Sequence, residues 1–136
     1  MSESAEGHTV KAYDGALAEL RQRAHRMGML VSQQVETAVY ALLESDRESA
    51  ELVLQREQQI NAWQSEIEAE SFRLLARQAP VASDLRTVLA ISRAVTDLER
   101  AGDESKKIAR FALASAGRGA TGPSRGSVRA WRGIRE

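Results

Sequence analysis

Apolar residues recur every three or four positions along most of this sequence, and that spacing predicts amphipathic helices. The pattern is interrupted at Ser45-Asp46 and again at residues 79–82, where Pro80 cannot continue a helix. After Ala116 a glycine-rich stretch ends the periodicity. We therefore predict three helices, at about 9–44, 47–78 and 84–115.

Each predicted helix has a single apolar stripe. The three stripes contain Leu17, Leu20, Ala24, Met27, Val31, Val35, Ala38 and Leu42; then Val53, Ile60, Ile67 and Leu74; then Leu85, Val88, Ile91, Val95, Leu98, Ala109 and Ala112. One stripe per helix and short connections predict an all-α, antiparallel up-down-up three-helix bundle over residues 9–116, after a flexible segment 1–8. Ser45 and Glu48 match a capping box, which predicts Ser45 as the N-cap of the second helix.

The composition narrows the function classes. Cysteine is absent, which excludes disulfides and zinc–thiolate sites and fits a reducing compartment. No apolar run is long enough to span a membrane, and the polar, acidic start does not resemble a secretion signal. These features predict a cytoplasmic protein without membrane insertion.

The segment 117–136 differs from the rest of the chain. It contains five arginines and one glutamate within a neutral chain, so its net charge is +4 and that of residues 1–116 is −4. Its composition predicts a disordered tail, with a nucleic-acid or anionic-membrane arm and a short helix around residues 128–134 as alternatives. The acidic body argues against nucleic-acid binding by the bundle.

Acidic side chains flank the stripes of the second and third helices. Glu99 and Asp103 are four residues apart and share one face beside the stripe. Glu57 and Asn61 flank the second stripe in the same way. If the two helices fold back about the turn near residue 80, all four residues lie at the same height along the bundle. Gly102 lies between Glu99 and Asp103 in the chain, and a glycine there indicates that the two helices approach closely.

The residues alone leave two interpretations of this group of acidic and amide side chains open. Oxygen ligands gathered together can bind a hard or borderline cation such as iron, manganese, magnesium or calcium. Alternatively, the acids form a solvated or salt-bridged flank, for which Arg56, Arg100, Lys106 and Lys107 are available nearby. The chain lacks the Glu-x-x-His pairs of di-iron bundles, a phosphate-binding glycine loop and a catalytic triad, so we predict no enzyme. His25 and Trp63 are expected to have structural roles.

Three runs of the sequence resemble the PhoU family of phosphate transport regulators. They are residues 77–86 (Arg-Gln-Ala-Pro-Val-Ala-Ser-Asp-Leu-Arg); Asp97-Leu-Glu-Arg-Ala-Gly-Asp103 followed by Ile108-Ala109; and, in the first helix, Leu17-x-x-Leu20, Met27-Gly28 and Ala41-Leu42-Leu43. The resemblance covers about residues 9–113.

The resemblance implies a cytoplasmic regulator that restrains phosphate uptake and the phosphate-starvation response. Its implied partners are the ATPase subunit of the phosphate ABC transporter, the phosphate-sensing histidine kinase and a second copy in a homodimer, but no nucleic acid. Family members have two tandem three-helix bundles with E/D-x-x-x-D motifs that bind metal. The implied ligands here are Glu57, Asn61, Glu99 and Asp103, for a divalent or ferric ion (iron, manganese, magnesium or zinc).

The sequence departs from the family pattern in two places. Asn61 stands where an acid is common, and its single neutral oxygen should hold a metal more weakly. The chain also lacks a second acidic bundle, as a truncated or frame-shifted copy would. Two alternatives therefore remain: a structural oligomerisation module without a ligand, and a metalloenzyme, for which the sequence offers no candidate base.

Overall fold

Three long helices form the described part of the chain. The computed structural model describes the backbone of residues 2–77 and 82–117 and the side chains of residues 12–77 and 84–117. The helices are α1 (Ser2–Glu44), α2 (Arg47–Arg77) and α3 (Ala82–Ala116), and each packs against the other two. The predicted all-α three-helix bundle is therefore confirmed.

The helix bounds agree with the sequence prediction to within two residues, except at the start of α1. That helix begins at Ser2, seven residues before the predicted start. The predicted flexibility of residues 1–8 stays a prediction, and the predicted disordered tail, from residue 118 onward, lies outside the described residues. None of the described helices is both long and apolar enough to cross a bilayer.

The turn between α1 and α2 is closed by Asp46, so the prediction that Ser45 caps α2 is wrong by one residue. Ser45 has a left-handed backbone with φ 52° and ends α1. The Asp46 N–H donates to the Ala41 carbonyl at 2.9 Å, the pattern of a Schellman motif. The Asp46 carboxylate then accepts from the Glu48 N–H at 3.2 Å and the Ser49 hydroxyl at 2.7 Å. Because Ser45 closes the first helix, Asp46 is the residue at the start of the second.

The buried apolar residues form two separate clusters. The larger cluster contains Leu17, Leu20, Met27, Val31, Ile60, Ile67, Leu74, Val88, Ile91 and Val95. The smaller contains Ala38, Ala41, Ala50, Val53, Ala109 and Ala112, near the α1–α2 turn. The larger cluster holds long side chains and the smaller mostly alanines, so the helices pack with different side-chain sizes at the two ends.

Two residues of the predicted stripes lie at the bundle surface. Val35 is 36% exposed and Leu85 is 38% exposed. In α1 the buried stripe instead passes through Gln34 and Ala41, which are both fully buried. Trp63 is partly buried against the larger cluster, in agreement with the packing role predicted for it. His25 is exposed, and its predicted structural role stays a prediction.

Candidate cation site between the second and third helices

Glu57 is the one carboxylate of α2 that is buried in the bundle. Its side chain is 3% exposed. Neither of its oxygens has a hydrogen-bond partner, and no salt bridge in the described part of the chain includes it. A buried carboxylate without a partner is costly, because its charge is removed from water without compensation. This position therefore requires a ligand, a proton or a water molecule to satisfy the carboxylate.

Gly102 of α3 faces this carboxylate. A methyl group at position 102 would lie 3.4 Å from Glu57 Oε2 and 3.6 Å from Ile60 Cγ2. Because glycine has no side chain, α3 can approach α2 closely and leave the Glu57 oxygens room. This contact confirms the close helix approach that Gly102 indicated in the sequence.

Glu99 and Asp103 lie on the same part of α3, on either side of Gly102 in the chain. Glu99 is half-buried and Asp103 is exposed. Neither carboxylate takes part in a salt bridge in the described part of the chain, where Lys107 pairs instead with Glu104 at 2.9 Å. Neither acid is therefore salt-bridged in the described part of the chain, whereas the exposure of Asp103 agrees with the solvated flank that the sequence left open.

Burial raises the pKa of the Glu57 carboxyl above its ordinary value, and the negative charge of Asp103 raises it further. Lys106 lowers the pKa, and Glu99 raises it by a smaller effect. The three charged residues with these effects belong to α3 and lie on both sides of Gly102 in the chain. A cation bound here would reverse the effect, because positive charge favours the ionised carboxylate.

Asn61 lies one turn further along α2 and is exposed. It makes no hydrogen bond within the described residues. Of the four predicted ligands, Glu57 is buried against α3, Glu99 is half-buried, and Asp103 and Asn61 are exposed.

Two further buried polar residues, one on α1 and one on α3, were not singled out from the sequence. Gln34 is fully buried, and its Nε2 donates to the Val53 carbonyl at 2.7 Å. Ser105 is also fully buried, and its hydroxyl donates to the Gly102 carbonyl at 2.6 Å. Both continue the three-four spacing of the buried stripe of their helix. A polar residue at a position that the spacing assigns to the core could therefore have revealed them.

Together these residues form a polar layer across the bundle, defined by Gln34, Glu57, Gly102 and Ser105. On every helix the layer falls between the larger and the smaller apolar cluster. Among the described residues, no three His, Asp or Glu side chains stand close enough to enclose an ion in their present rotamers. Ion binding would thus require the Glu99 and Asp103 side chains to turn towards Glu57.

An antiparallel three-helix bundle with a buried, unpaired carboxylate and two further acids at its mouth defines a helical-bundle protein with a candidate cation site. Comparison with known families gives a more specific assignment. The model of the PhoU domain matches residues 24–112, so the chain belongs to the PhoU family.

Curated relatives agree with this assignment. A Pseudomonas putida protein named phosphate-specific transport system accessory protein PhoU homolog is 45% identical over 111 residues, or 82% of this chain and 43% of that protein. The Escherichia coli K12 protein named phosphate-specific transport system accessory protein PhoU is 34% identical over 106 residues, or 78% of this chain and 44% of that protein. The chain thus spans less than half the length of these relatives.

Solved structures have the same fold. The crystal structure of PhoU from Pseudomonas aeruginosa matches with a TM-score of 0.80 and 40% identity, covering 87% of this chain and 56% of that chain. The phosphate transport system regulatory protein PhoU from Streptococcus pneumoniae matches with a TM-score of 0.69 and 42% identity, covering 74% of this chain and 48% of that chain.

Proposed function

We propose that this chain is a negative regulator of phosphate uptake and of the phosphate-starvation response, and that it acts by protein–protein contact without catalysis. The observation on which this rests is membership of the PhoU family, whose relatives are named as accessory proteins of phosphate transport. The proposed partners are the ATPase subunit of the phosphate ABC transporter and the phosphate-sensing histidine kinase. A cytoplasmic location and a homodimer belong to the same proposal.

A metal ion at the α2–α3 level is part of this proposed function. Glu57, Glu99 and Asp103 would be its carboxylate ligands, and Asn61 would add an amide oxygen. The unpaired, buried oxygens of Glu57 support this assignment, because a cation satisfies both of them at once. Oxygen donors suit a divalent or ferric ion such as iron, manganese or magnesium; zinc, the other ion the resemblance implies, usually prefers nitrogen and sulfur ligands.

An apolar patch on the α2–α3 side supports a role in protein binding. We define this patch by Phe72, Leu85 and Leu89, which are 73%, 38% and 49% exposed. Leu85 and Leu89 are each two heptads before Glu99 and Asp103, so they lie on the same edge of α3. Since Glu57 is level with Gly102, the antiparallel run of α2 places Phe72 level with the two leucines. Large exposed apolar side chains of this kind are typical of contact surfaces.

Leu85 and Leu89 share an edge of α3 with the two acids of the candidate site. Fourteen residues of helix separate Leu89 from Asp103, which corresponds to about 21 Å at the rise of an α-helix. One partner surface of ordinary size spans that distance. We therefore assign the α2–α3 side as the contact face for the transport or signalling partner.

The proposed function is tested by asking whether the purified chain captures the transporter ATPase or the kinase in a pull-down. We expect capture by the parent chain and loss of capture by the double variant Phe72→Ser/Leu89→Ser. The matched control is Phe111→Ser, because Phe111 is 63% exposed and lies outside the patch. A parent chain that captures neither protein would contradict the proposal.

The same patch favours a second candidate function, a structural module that forms oligomers without a ligand. Exposed apolar residues also promote association between copies of one chain. Analytical ultracentrifugation of the metal-free protein separates the two candidates. A stable oligomer that binds neither metal nor the two proposed partners would favour the module.

A further inference from the structure

The polar layer contains more hydrogen-bond acceptors than donors. Gln34 Oε1 and both carboxylate oxygens of Glu57 are buried and have no partner. Native proteins leave few such atoms unsatisfied, and those that remain call for a physical explanation. Ser105 does not provide a donor here, because its hydroxyl already donates to the Gly102 carbonyl.

Gln34 is held against the turn of α2 that ends at Glu57. Its Nε2 lies 2.7 Å from the Val53 carbonyl, which in the helical ladder also accepts from the N–H of residue 57. If the Gln34 amide were flipped, its oxygen would face the Val53 carbonyl oxygen, and two acceptors would repel each other. The hydrogen bond to Val53 therefore fixes which end of the amide is the oxygen. The amide oxygen is consequently left as a free acceptor in the layer that contains the Glu57 carboxylate.

We propose that one ordered water molecule bridges Gln34 Oε1 and the Glu57 carboxylate, which makes Gln34 a positioning residue for the cation site. A water molecule has two donors and needs two to four polar partners in order to remain buried. Gln34 Oε1 and a Glu57 oxygen would accept its two hydrogens, and the absence of a side chain at Gly102 leaves room beside Oε2. The inference rests on the proposed function only for the cation; the water bridge stands on the buried acceptors.

This arrangement gives Gln34 two tasks. Its donor end fixes the turn from which the Glu57 side chain extends, and its acceptor end holds the water that orients one Glu57 oxygen. The other Glu57 oxygen then remains available for a cation. Residues that orient ligands in this way typically change metal affinity by about 10–100-fold when they are lost.

The water is tested directly on the metal-free protein. A high-resolution crystal structure grown in chelator is expected to contain a water within hydrogen-bond distance of both Gln34 Oε1 and a Glu57 oxygen. Nuclear Overhauser effects between water and the Gln34 side-chain amide should report the same molecule in solution. A direct Gln34–Glu57 hydrogen bond, or a layer without water, would overturn the proposal.

The positioning role is tested by calorimetric titration with Mn²⁺ alone. Gln34→Met keeps the length of the side chain and removes both polar ends, and we expect it to weaken Mn²⁺ binding about 10–100-fold. The control is Gln33→Met, because Gln33 is the exposed neighbour. Equal affinities of Gln34→Met and the parent would overturn the positioning role.

The two tests also separate this inference from the proposed function. If the parent chain binds no Mn²⁺, the metal part of the proposed function is wrong, whereas the water test still decides the bridge. If Gln34→Met does not fold, the crystal structure of the parent chain still shows whether the water bridge exists. Gln34→Leu then takes the place of Gln34→Met in the Mn²⁺ titration.

Discussion

Glu57 Oε2 and Gly102 face each other so closely that a methyl group at position 102 would lie 3.4 Å from that oxygen. The glycine is in the middle of α3, where it destabilises the helix by about 1 kcal/mol relative to alanine. The contact explains why a residue unfavourable for the helix is placed there: it keeps space beside a carboxylate.

Gly102→Ala should therefore separate stability from binding. We expect the metal-free protein to gain up to about 1 kcal/mol in free energy of unfolding, because alanine favours the helix. Metal affinity should fall, because the methyl group occupies the space beside Oε2. Urea unfolding and Mn²⁺ titration measure the two effects.

Gly28→Ala is the matched control for that variant. Its methyl group would meet only Leu98 Cδ1 and Cδ2, at 3.8 and 3.9 Å, which is ordinary contact. It should gain similar stability with no change in metal affinity. A parallel loss of affinity in both variants would contradict the role assigned to the space at Gly102.

Removal of the charge at Glu57 should change how stability depends on pH. The pKa of Glu57 is raised in the folded protein by burial, by Asp103 and, less strongly, by Glu99, although Lys106 opposes the shift. The folded state therefore holds this proton more tightly than the unfolded state. The corresponding stabilisation is complete below the unfolded pKa and is lost as the pH rises through the folded pKa.

Glu57→Gln should abolish the loss of stability that the metal-free protein shows as the pH rises. We expect the variant and the parent to have similar melting temperatures near pH 4, and the variant to melt higher as the pH rises towards 8. Glu66→Gln, an exposed acid on the same helix, is the control. If Glu57→Gln and the parent lose stability in parallel with rising pH, then Glu57 does not titrate as the structure indicates.

The two α3 acids should be needed for metal binding. Glu99→Ala combined with Asp103→Ala is expected to remove Mn²⁺ binding measured by calorimetry, because it takes away two of the three proposed carboxylate ligands. Asp97→Ala with Glu104→Ala removes the same charge from other positions of α3 and should leave binding in place. Binding by the first double variant that equals that of the parent chain would rule out this site.

Ser45→Gly should stabilise the protein. Ser45 has φ 52°, a left-handed conformation that disfavours side chains other than glycine. We expect a gain of about 0.5–1 kcal/mol in the free energy of unfolding, after allowing for the greater flexibility of glycine in the unfolded chain. Thermal unfolding of the variant, compared with the Ser115→Gly variant inside α3, measures it. A loss of stability at position 45 would contradict the proposed strain.

The helices and their order could be predicted from the sequence because apolar spacing and Pro80 are local signals. The N-cap of α2 could not be predicted in the same way, because Ser45 and Asp46 are both good capping residues. Only the backbone conformation decides between them. The family could be identified because its motif, which includes Gly102 and Asp103, is visible in the amino-acid sequence alone.

The burial of the candidate site was harder to predict. Helical angles placed Glu57 at the flank of its stripe, whereas the structure buries it. The difference arises because the close approach at Gly102 draws α3 over that flank. Gln34 was missed for a related reason: Val35 is apolar and fits the stripe almost as well, and only packing reveals which of the two neighbours faces the centre.

The alanines of the smaller cluster have a consequence for how this protein can vary. Where Ala38, Ala41, Ala50, Ala109 and Ala112 meet, the helix backbones have little side-chain volume between them. A longer residue there would act as a wedge, and overpacking of this kind typically costs about 1–3 kcal/mol. The opposite end, lined with leucine, isoleucine and methionine, can exchange one large residue for another. Substitutions of different size should thus be tolerated unequally at the two ends of the molecule.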